Sequence, residues 1–147
     1  MRYFDASALM KRYVREPGAV SVRRLLKTAP AAASRLSEVE VASALVRRAR
    51  EGAFGIEERD RALASLSDDF ATLIIVEFTP EIAADARALL VRYRLRAGDC
   101  VQLASCRYLQ REMSQPLPFV AFDDRLADAA RDEGLTVVSV LKSRGRG

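Results

Sequence analysis

The sequence predicts an α/β fold in which a mainly parallel sheet of about five strands carries helices on both faces. Short apolar segments with β-forming residues alternate along the chain with amphipathic segments of helical period. This alternation is typical of strand–helix–strand units, whose strands pair in parallel and are buried on both sides. At 147 residues, half of them hydrophobic, the chain is long enough to build one core of this kind. We expect one domain over residues 1–141 and a basic, flexible tail over residues 142–147.

The first third of the chain contains two predicted strands and two predicted helices. MRYFDA, at 1–6, indicates a short buried strand, and SALMKRYVRE indicates a helix with Ser7 as its N-cap, stopped by Pro17. The helix AVSVRRLLKT follows, and AAASRL at 31–36 predicts the second strand. Ser37 and Glu40 have the spacing of a capping box, which predicts the start of the next helix.

The rest of the chain continues the alternation. The segments 37–51 and 56–71 have helical periodicity and predict a helical hairpin. Predicted strands at 72–78, 117–123 and 135–140 are separated by predicted helices at 81–94, 100–113 and 124–134.

Composition excludes several classes of chemistry. The chain has no histidine, which removes Ser-His and Cys-His nucleophile pairs and the usual zinc site. Cys100 and Cys106 lie six residues apart on one predicted helix and point to different sides, so we expect small core residues and not ligands. No apolar stretch is long enough to span a membrane, and no signal peptide precedes the first strand, so a cytoplasmic protein is expected. A net charge of +4, carried by several basic runs, is compatible with a polyanionic partner.

Four acidic residues stand where strands meet helices. Asp5 ends the first predicted strand, Asp123 ends the fourth, Asp99 opens a helix, and Glu40 lies in the first turn of its helix. In an open parallel sheet the functional crevice lies beyond the carboxyl ends of the strands. Each acid alone has a second interpretation, as a helix cap or a capping-box member. Together at one edge they would repel unless a cation neutralised them, and oxygen-only ligands favour Mg²⁺ or Mn²⁺.

Four blocks of the sequence, in this order, carry a family resemblance: YFDASAL, SRLSEVEVASALVRR, RAGDCVQLASC and FVAFDDRLADAARDEGL. They resemble the PIN-domain ribonucleases, and within these the VapC toxins of toxin–antitoxin pairs. The resemblance implies a three-layer PIN-like sandwich and an endoribonuclease that uses Mg²⁺, with Mn²⁺ as a substitute. It also implies an RNA substrate, a homodimer, and a cognate VapB-like antitoxin that covers the active site. The family's metal-binding acids map onto Asp5, Glu40, Asp99 and Asp123.

The resemblance leaves some residue roles open. Ser7 matches a hydroxyl residue that helps to order the family's site, whereas Ala121 stands where relatives usually have Thr or Ser. Asp124 is an extra acid beside Asp123, and we expect Asp123 to be the ligand because it is the first residue to leave the strand. Two roles stay open for Arg125, which follows these acids: contact with substrate phosphate, or a place on the surface.

Glu38 is the remaining competitor for a place in the site. It lies about 200° around the helix from Glu40, so the two cannot both face the crevice, and Glu40 borders the apolar side.

Two other functions compete with RNA cleavage. A phosphatase of the dehalogenase type would use Asp5 as nucleophile, but its motif has a second Asp two places on, where this chain has Ser7. A binding module that holds RNA without cutting it is the second alternative.

Overall fold

The core of the protein is a five-stranded, fully parallel sheet. We describe residues 1–138 in a computed structural model. The strands follow the order β3-β2-β1-β4-β5, and they are β1 (Arg2–Phe4), β2 (Ala31–Ser34), β3 (Ile74–Val76), β4 (Phe119–Val120) and β5 (Val137–Val138). This topology confirms the predicted sheet.

In the described part of the chain, seven helices connect and cover the strands: α1 (Ala6–Met10), α2 (Ala19–Thr28), α3 (Arg35–Arg50), α4 (Ile56–Phe70), α5 (Pro80–Arg92), α6 (Ala97–Met113) and α7 (Asp124–Asp132). The hairpin predicted from the two long helical segments is present, because α3 packs against α4.

The sheet separates two apolar clusters, as a three-layer sandwich requires. Tyr3 and Phe119 lie on one face, with their rings stacked 5.7 Å apart, and pack with α5, α6 and α7. Phe4 and Val120, the next residue of each strand, lie on the other face and pack with α1 to α4. This alternation follows from the period of two along a β-strand. Both faces of the sheet are therefore covered.

The strand order reverses at β1, which has β2 on one side and β4 on the other. In parallel α/β sheets, a crevice opens at such a reversal, outside the carboxyl ends of the strands. Asp5 is the first residue beyond β1 at this point. The fold therefore directs the acidic segments to one edge.

Two predicted helix starts are wrong, and hydrogen bonding explains why. The N-cap of α1 is Asp5 and not Ser7, because the Asp5 carboxylate already accepts the backbone N–H of Ala8. The N-cap of α3 is Ser34, whose hydroxyl accepts the N–H of Leu36. Ser37 therefore lies inside α3 and is free to make a different contact.

The helix predicted over 7–16 is shorter than expected. It ends at Met10, and the chain continues in tight turns in which the N–H of Lys11 bonds to the carbonyl of Ala8 and that of Arg12 to the carbonyl of Leu9. The helix α6 starts earlier than predicted, at Ala97, so that Asp99 lies in its first turn instead of opening it.

Other expectations concern the cysteines and the C-terminus. Cys100 and Cys106 are free thiols on α6 that are buried in the core, as predicted. The last part of the fifth predicted strand, the domain end at 141 and the tail over 142–147 lie outside the described residues. Within residues 1–138, no helix is both long and apolar enough to span a bilayer.

Glu133, at the end of α7, links this helix to α5 and α6. Its carboxylate, 11% exposed, accepts hydrogen bonds from Arg92, Arg107 and the hydroxyl of Tyr93. Arg107 also pairs with Asp85, with Nε 3.0 Å from Oδ2. Because most of this network is shielded from water, its loss would leave donors without an acceptor.

We expect Glu133→Ala to lower the free energy of unfolding by roughly 2–3 kcal/mol, since it strands partly buried guanidinium and phenol groups. Urea denaturation measures the change. The matched control is Glu112→Ala, an exposed glutamate on α6, which should stay within about 0.5 kcal/mol of the wild type. Equal stabilities for the two variants would contradict the assigned role of Glu133.

Candidate active site

The four acids singled out from the sequence lie at the carboxyl edge of the sheet. Asp5 follows β1, and Asp123 follows the β4 segment and forms the N-cap of α7. Glu40 lies on the second turn of α3, which follows β2, and Asp99 lies on the first turn of α6. Parallel strands bring these segments to the same edge, although up to 118 residues of chain separate them.

Asp5 is buried, with 3% of its surface exposed. Its Oδ1 accepts the N–H of Ala8 at 2.8 Å and the hydroxyl of Ser7 at 2.9 Å, and its Oδ2 lies 3.0 Å from the same hydroxyl. Burial raises the pKa of Asp5 to about 7, with a smaller contribution from the negative charges of Asp99 and Glu40 and against the effect of these hydrogen bonds. Asp5 is therefore a buried carboxyl group whose ionised form a nearby positive charge would stabilise.

The four acids lie close enough for their charges to interact: Asp5, Glu40, Asp99 and Asp123. Burial raises the pKa of Glu40, and the charge of Asp99 adds to this rise. Burial also raises the pKa of Asp99, and the nearby Asp123 adds to it, while Arg96 lowers it. Asp5, Glu40 and Asp99 each therefore lie near enough to another acid of the group for its charge to disfavour their ionised forms.

Within residues 1–138, no lysine or arginine forms an ion pair with these four acids. Glu38, by contrast, pairs with Arg35, which also binds Glu77. Glu38 is therefore occupied in a surface network, whereas Glu40 faces the other acids.

The donor set suits a hard divalent cation. All four side chains offer oxygen, and the buried carboxylate of Asp5 forms no ion pair with any residue in 1–138. In the described part of the chain, no three acidic or cysteine side chains converge closely enough to form a ready-made metal cage. Mg²⁺ needs only one or two carboxylates and keeps several waters, so the residues present fit such an ion.

The residues around Asp123 differ in their placement. Asp123 accepts the N–H of Leu126 through Oδ1, at 3.1 Å, and its backbone is extended. Asp124 is the first residue of α7 and is exposed, as is Arg125. Ala121 is buried at the end of the β4 segment and offers no hydroxyl.

Phe122 anchors the loop that carries Asp123. Its ring lies against Gly18, where a Cβ atom would approach a ring carbon to 2.9 Å. Gly18 has a φ of +91°, which also favours glycine. The Nζ of Lys11 lies 4.5 Å from the centre of the same ring and 3.1 Å from Oε1 of Glu16. The turn between α1 and α2 thus supports the position of the fourth acid.

Two clefts with basic walls border the acids. One, of about 760 Å³, runs past Ser7, Glu40 and Asp123 to Arg47 and Arg48. The other, of about 400 Å³, lies between Asp99 and Asp123 and is lined by Arg94, Arg96 and Arg125. Within residues 1–138, Arg94 and Arg125 form no ion pair with a carboxylate, so their charges are available to an anion.

Sequence reasoning missed the polar residues behind Glu40. Gln102 donates to Oε1 of Glu40 at 3.0 Å and to the hydroxyl of Ser37 at 2.8 Å, and it accepts the hydroxyl of Tyr3 at 2.7 Å. The sequence signal was the spacing, because Gln102 follows Asp99 by three residues and Ser37 precedes Glu40 by three. Residues at this separation share a helix face.

Comparison with known proteins agrees with this architecture. A family model for the PIN domain matches residues 2–132. Ribonuclease VapC46 of Mycobacterium tuberculosis is 32% identical over 138 residues, which make up 93% of this chain and 95% of that protein.

Solved structures have the same fold. VapC20 of Mycobacterium tuberculosis, described as a Sarcin-Ricin loop cleaving toxin, superposes with a TM-score of 0.67 at 18% identity, covering 88% of this chain and 95% of that one. A toxin-antitoxin complex from Klebsiella pneumoniae gives 0.63 at 20% identity, covering 95% of this chain and 97% of its counterpart. Because the family model spans most of the sequence and a relative is 32% identical over nearly the full length, the chain belongs to the PIN-domain family.

Proposed function

We propose that this protein is a metal-dependent endoribonuclease and the toxin of a toxin–antitoxin pair. The observation that carries the proposal is Asp5, a buried carboxylate at the strand reversal that has three further acids around it and forms no ion pair within residues 1–138. The relative that is 32% identical to this chain is named a ribonuclease, and one of the structures with the same fold is a toxin-antitoxin complex. We assign the activity to the domain predicted over residues 1–141, acting in the cytoplasm.

The acids would hold one face of a Mg²⁺ or Mn²⁺ ion, with Asp5, Asp99 and Asp123 as ligands and Glu40 completing the set or assisting proton transfer. When bound, such an ion stabilises negative charge on a phosphate oxygen and lowers the pKa of a water. Ser7 orders Asp5 through its hydrogen bond, and Arg125 lies where it would meet a substrate phosphate. Because such a contact would be to phosphate, Arg125 would position RNA without reading its sequence.

A VapB-like antitoxin is the protein partner that we propose. The clefts beside Glu40 and Asp123 are the surfaces that such a partner would have to cover to block the acids. The homodimer stays a prediction from the family resemblance.

The first test is cleavage of structured RNA, including ribosomal RNA, by the purified protein with Mn²⁺ and then with excess chelator. We expect chelation to abolish cleavage, and Asp5→Asn and Asp99→Asn to reduce it by at least roughly 100-fold, because each removes a metal ligand. The matched control is Asp68→Asn, an exposed acid on α4, which should cleave like the wild type.

Two outcomes would contradict the proposal. Cleavage that persisted in chelator, or in both active-site variants, would show that the acids and the ion are not the catalysts. A wild-type protein that bound RNA but cut none with any divalent ion would favour the non-cleaving alternative.

A second test uses the stability of the metal-free protein. The folded state raises the pKa of Asp5 from 3.8 to about 7, so between these values the folded chain binds more protons than the unfolded chain. The free energy of unfolding therefore falls as the pH rises from about 4 to about 7, by roughly 1.4 kcal/mol for each pH unit in this range. The stabilising contribution of protonated Asp5 is complete below about pH 4, and it is lost as the pH rises through about 7.

Urea denaturation in chelator, from pH 4 to pH 8, measures this dependence as the difference between wild type and Asp5→Asn. Ion pairs elsewhere titrate equally in both proteins and cancel. We expect the variant to gain stability relative to the wild type with rising pH, and Mn²⁺ at pH 8 to stabilise the wild type only. Parallel pH profiles would refute the assigned state of Asp5.

A further inference from the structure

We propose that Gln102 and Gly98, both on α6, are positioning residues that set the carboxylate of Glu40 with one oxygen held by the protein and the other left for a cation. The inference rests on the proposed function and goes further by assigning roles to two residues that are not acids. Gln102 acts on one side of the carboxylate and Gly98 on the other.

Gln102 is 2% exposed in a largely apolar core, where a glutamine is uncommon. Its three hydrogen bonds account for its place there. The carbonyl oxygen accepts from Tyr3, and the amide nitrogen donates to Ser37 and to Oε1 of Glu40. The opposite amide orientation would set an oxygen against a carboxylate oxygen, so the contact with Glu40 itself favours this one.

The network connects Glu40 to the centre of the sheet. Tyr3 is fully buried on β1, and its ring stacks on Phe119 of β4. Its hydroxyl fixes Gln102, which in turn fixes Oε1 of Glu40. Side chains bound in this way to a ligand orient it, and their loss typically weakens metal binding.

Gly98 leaves space for the second oxygen. A Cβ atom at this position would lie 2.9 Å from Oε2 of Glu40, closer than real contacts allow. Gly98 does not have a positive φ, so its backbone does not require glycine. Glycine also weakens a helix by about 1 kcal/mol relative to alanine, although less at a helix end. The room that it gives Glu40, directly beside Asp99, explains its presence.

The oxygen over Gly98 is the one available for binding. Within the described part of the chain, Oε2 of Glu40 accepts no hydrogen bond, whereas Oε1 is held by Gln102. A fixed oxygen beside Asp99 would meet a cation without reorganisation of the side chain. We therefore expect Glu40 to bind through Oε2 alone.

The test measures Mn²⁺ affinity by titration calorimetry on metal-free protein, together with cleavage kinetics. Gln102→Met keeps the side chain's approximate volume but removes the donor, and Gly98→Ala adds the Cβ atom. We expect each to weaken Mn²⁺ binding roughly 10–100-fold and to lower kcat at fixed Mn²⁺ while KM for RNA stays unchanged. Matched controls are the exposed Gln115→Met and Gly55→Ala, whose Cβ atom would meet nothing within 4 Å.

The outcomes separate this inference from the proposed function. If Glu40→Gln loses Mn²⁺ affinity but Gln102→Met and Gly98→Ala bind like the wild type, the inference is wrong and the proposed function stands. If the wild type binds no Mn²⁺, both are wrong. Should Gln102→Met fail to fold, Gly98→Ala still decides, because alanine favours the helix and the substitution disturbs only the far end of a flexible side chain.

Discussion

The buried negative charge at the end of β1 is the constraint on which the site depends. Asp5 has to end the strand, cap α1 and remain shielded from water, and two hydrogen-bond donors satisfy its oxygens without neutralising it. A carboxylate in this position favours either a proton or a cation. In the proposed function, the open group of acids around it is one half of a site whose other half is a divalent cation.

The parallel topology explains how such a group forms from distant parts of the chain. Each crossover returns the chain to the same end of the sheet, so every strand ends at the edge where Asp5 lies. The reversal at β1 opens the crevice, and α3, α6 and α7 begin around it. The acids repel one another there, and the two apolar clusters on either side of the sheet must supply the stability that this repulsion removes.

Much of this could be predicted from the sequence, because apolar periodicity reports burial and the acids stand at element boundaries. The strand and helix order and the free, buried cysteines are predictable in this way. Helix starts are less so, since Asp5, Ser7, Ser34 and Ser37 are all suitable caps and only three-dimensional contacts decide between them. Local spacing puts Gln102 on the helix face of Asp99, but its contact with Glu40 joins two helices across 62 residues, and no local pattern encodes that contact.

The acids also differ in how firmly the fold holds their side chains. This difference follows from the length of each side chain and from the element that carries it. Asp5 is short and is fixed by its own helix. Glu40 has one more rotatable bond and lies six residues beyond the end of β2, so that its carboxylate needs a partner from another helix to keep one orientation. Asp123 is exposed and is held by its cap hydrogen bond and by the anchored ring before it. In the proposed function, accommodation of ions or substrates of different size would therefore come from the side of Asp123, while Asp5 and Glu40 stay fixed.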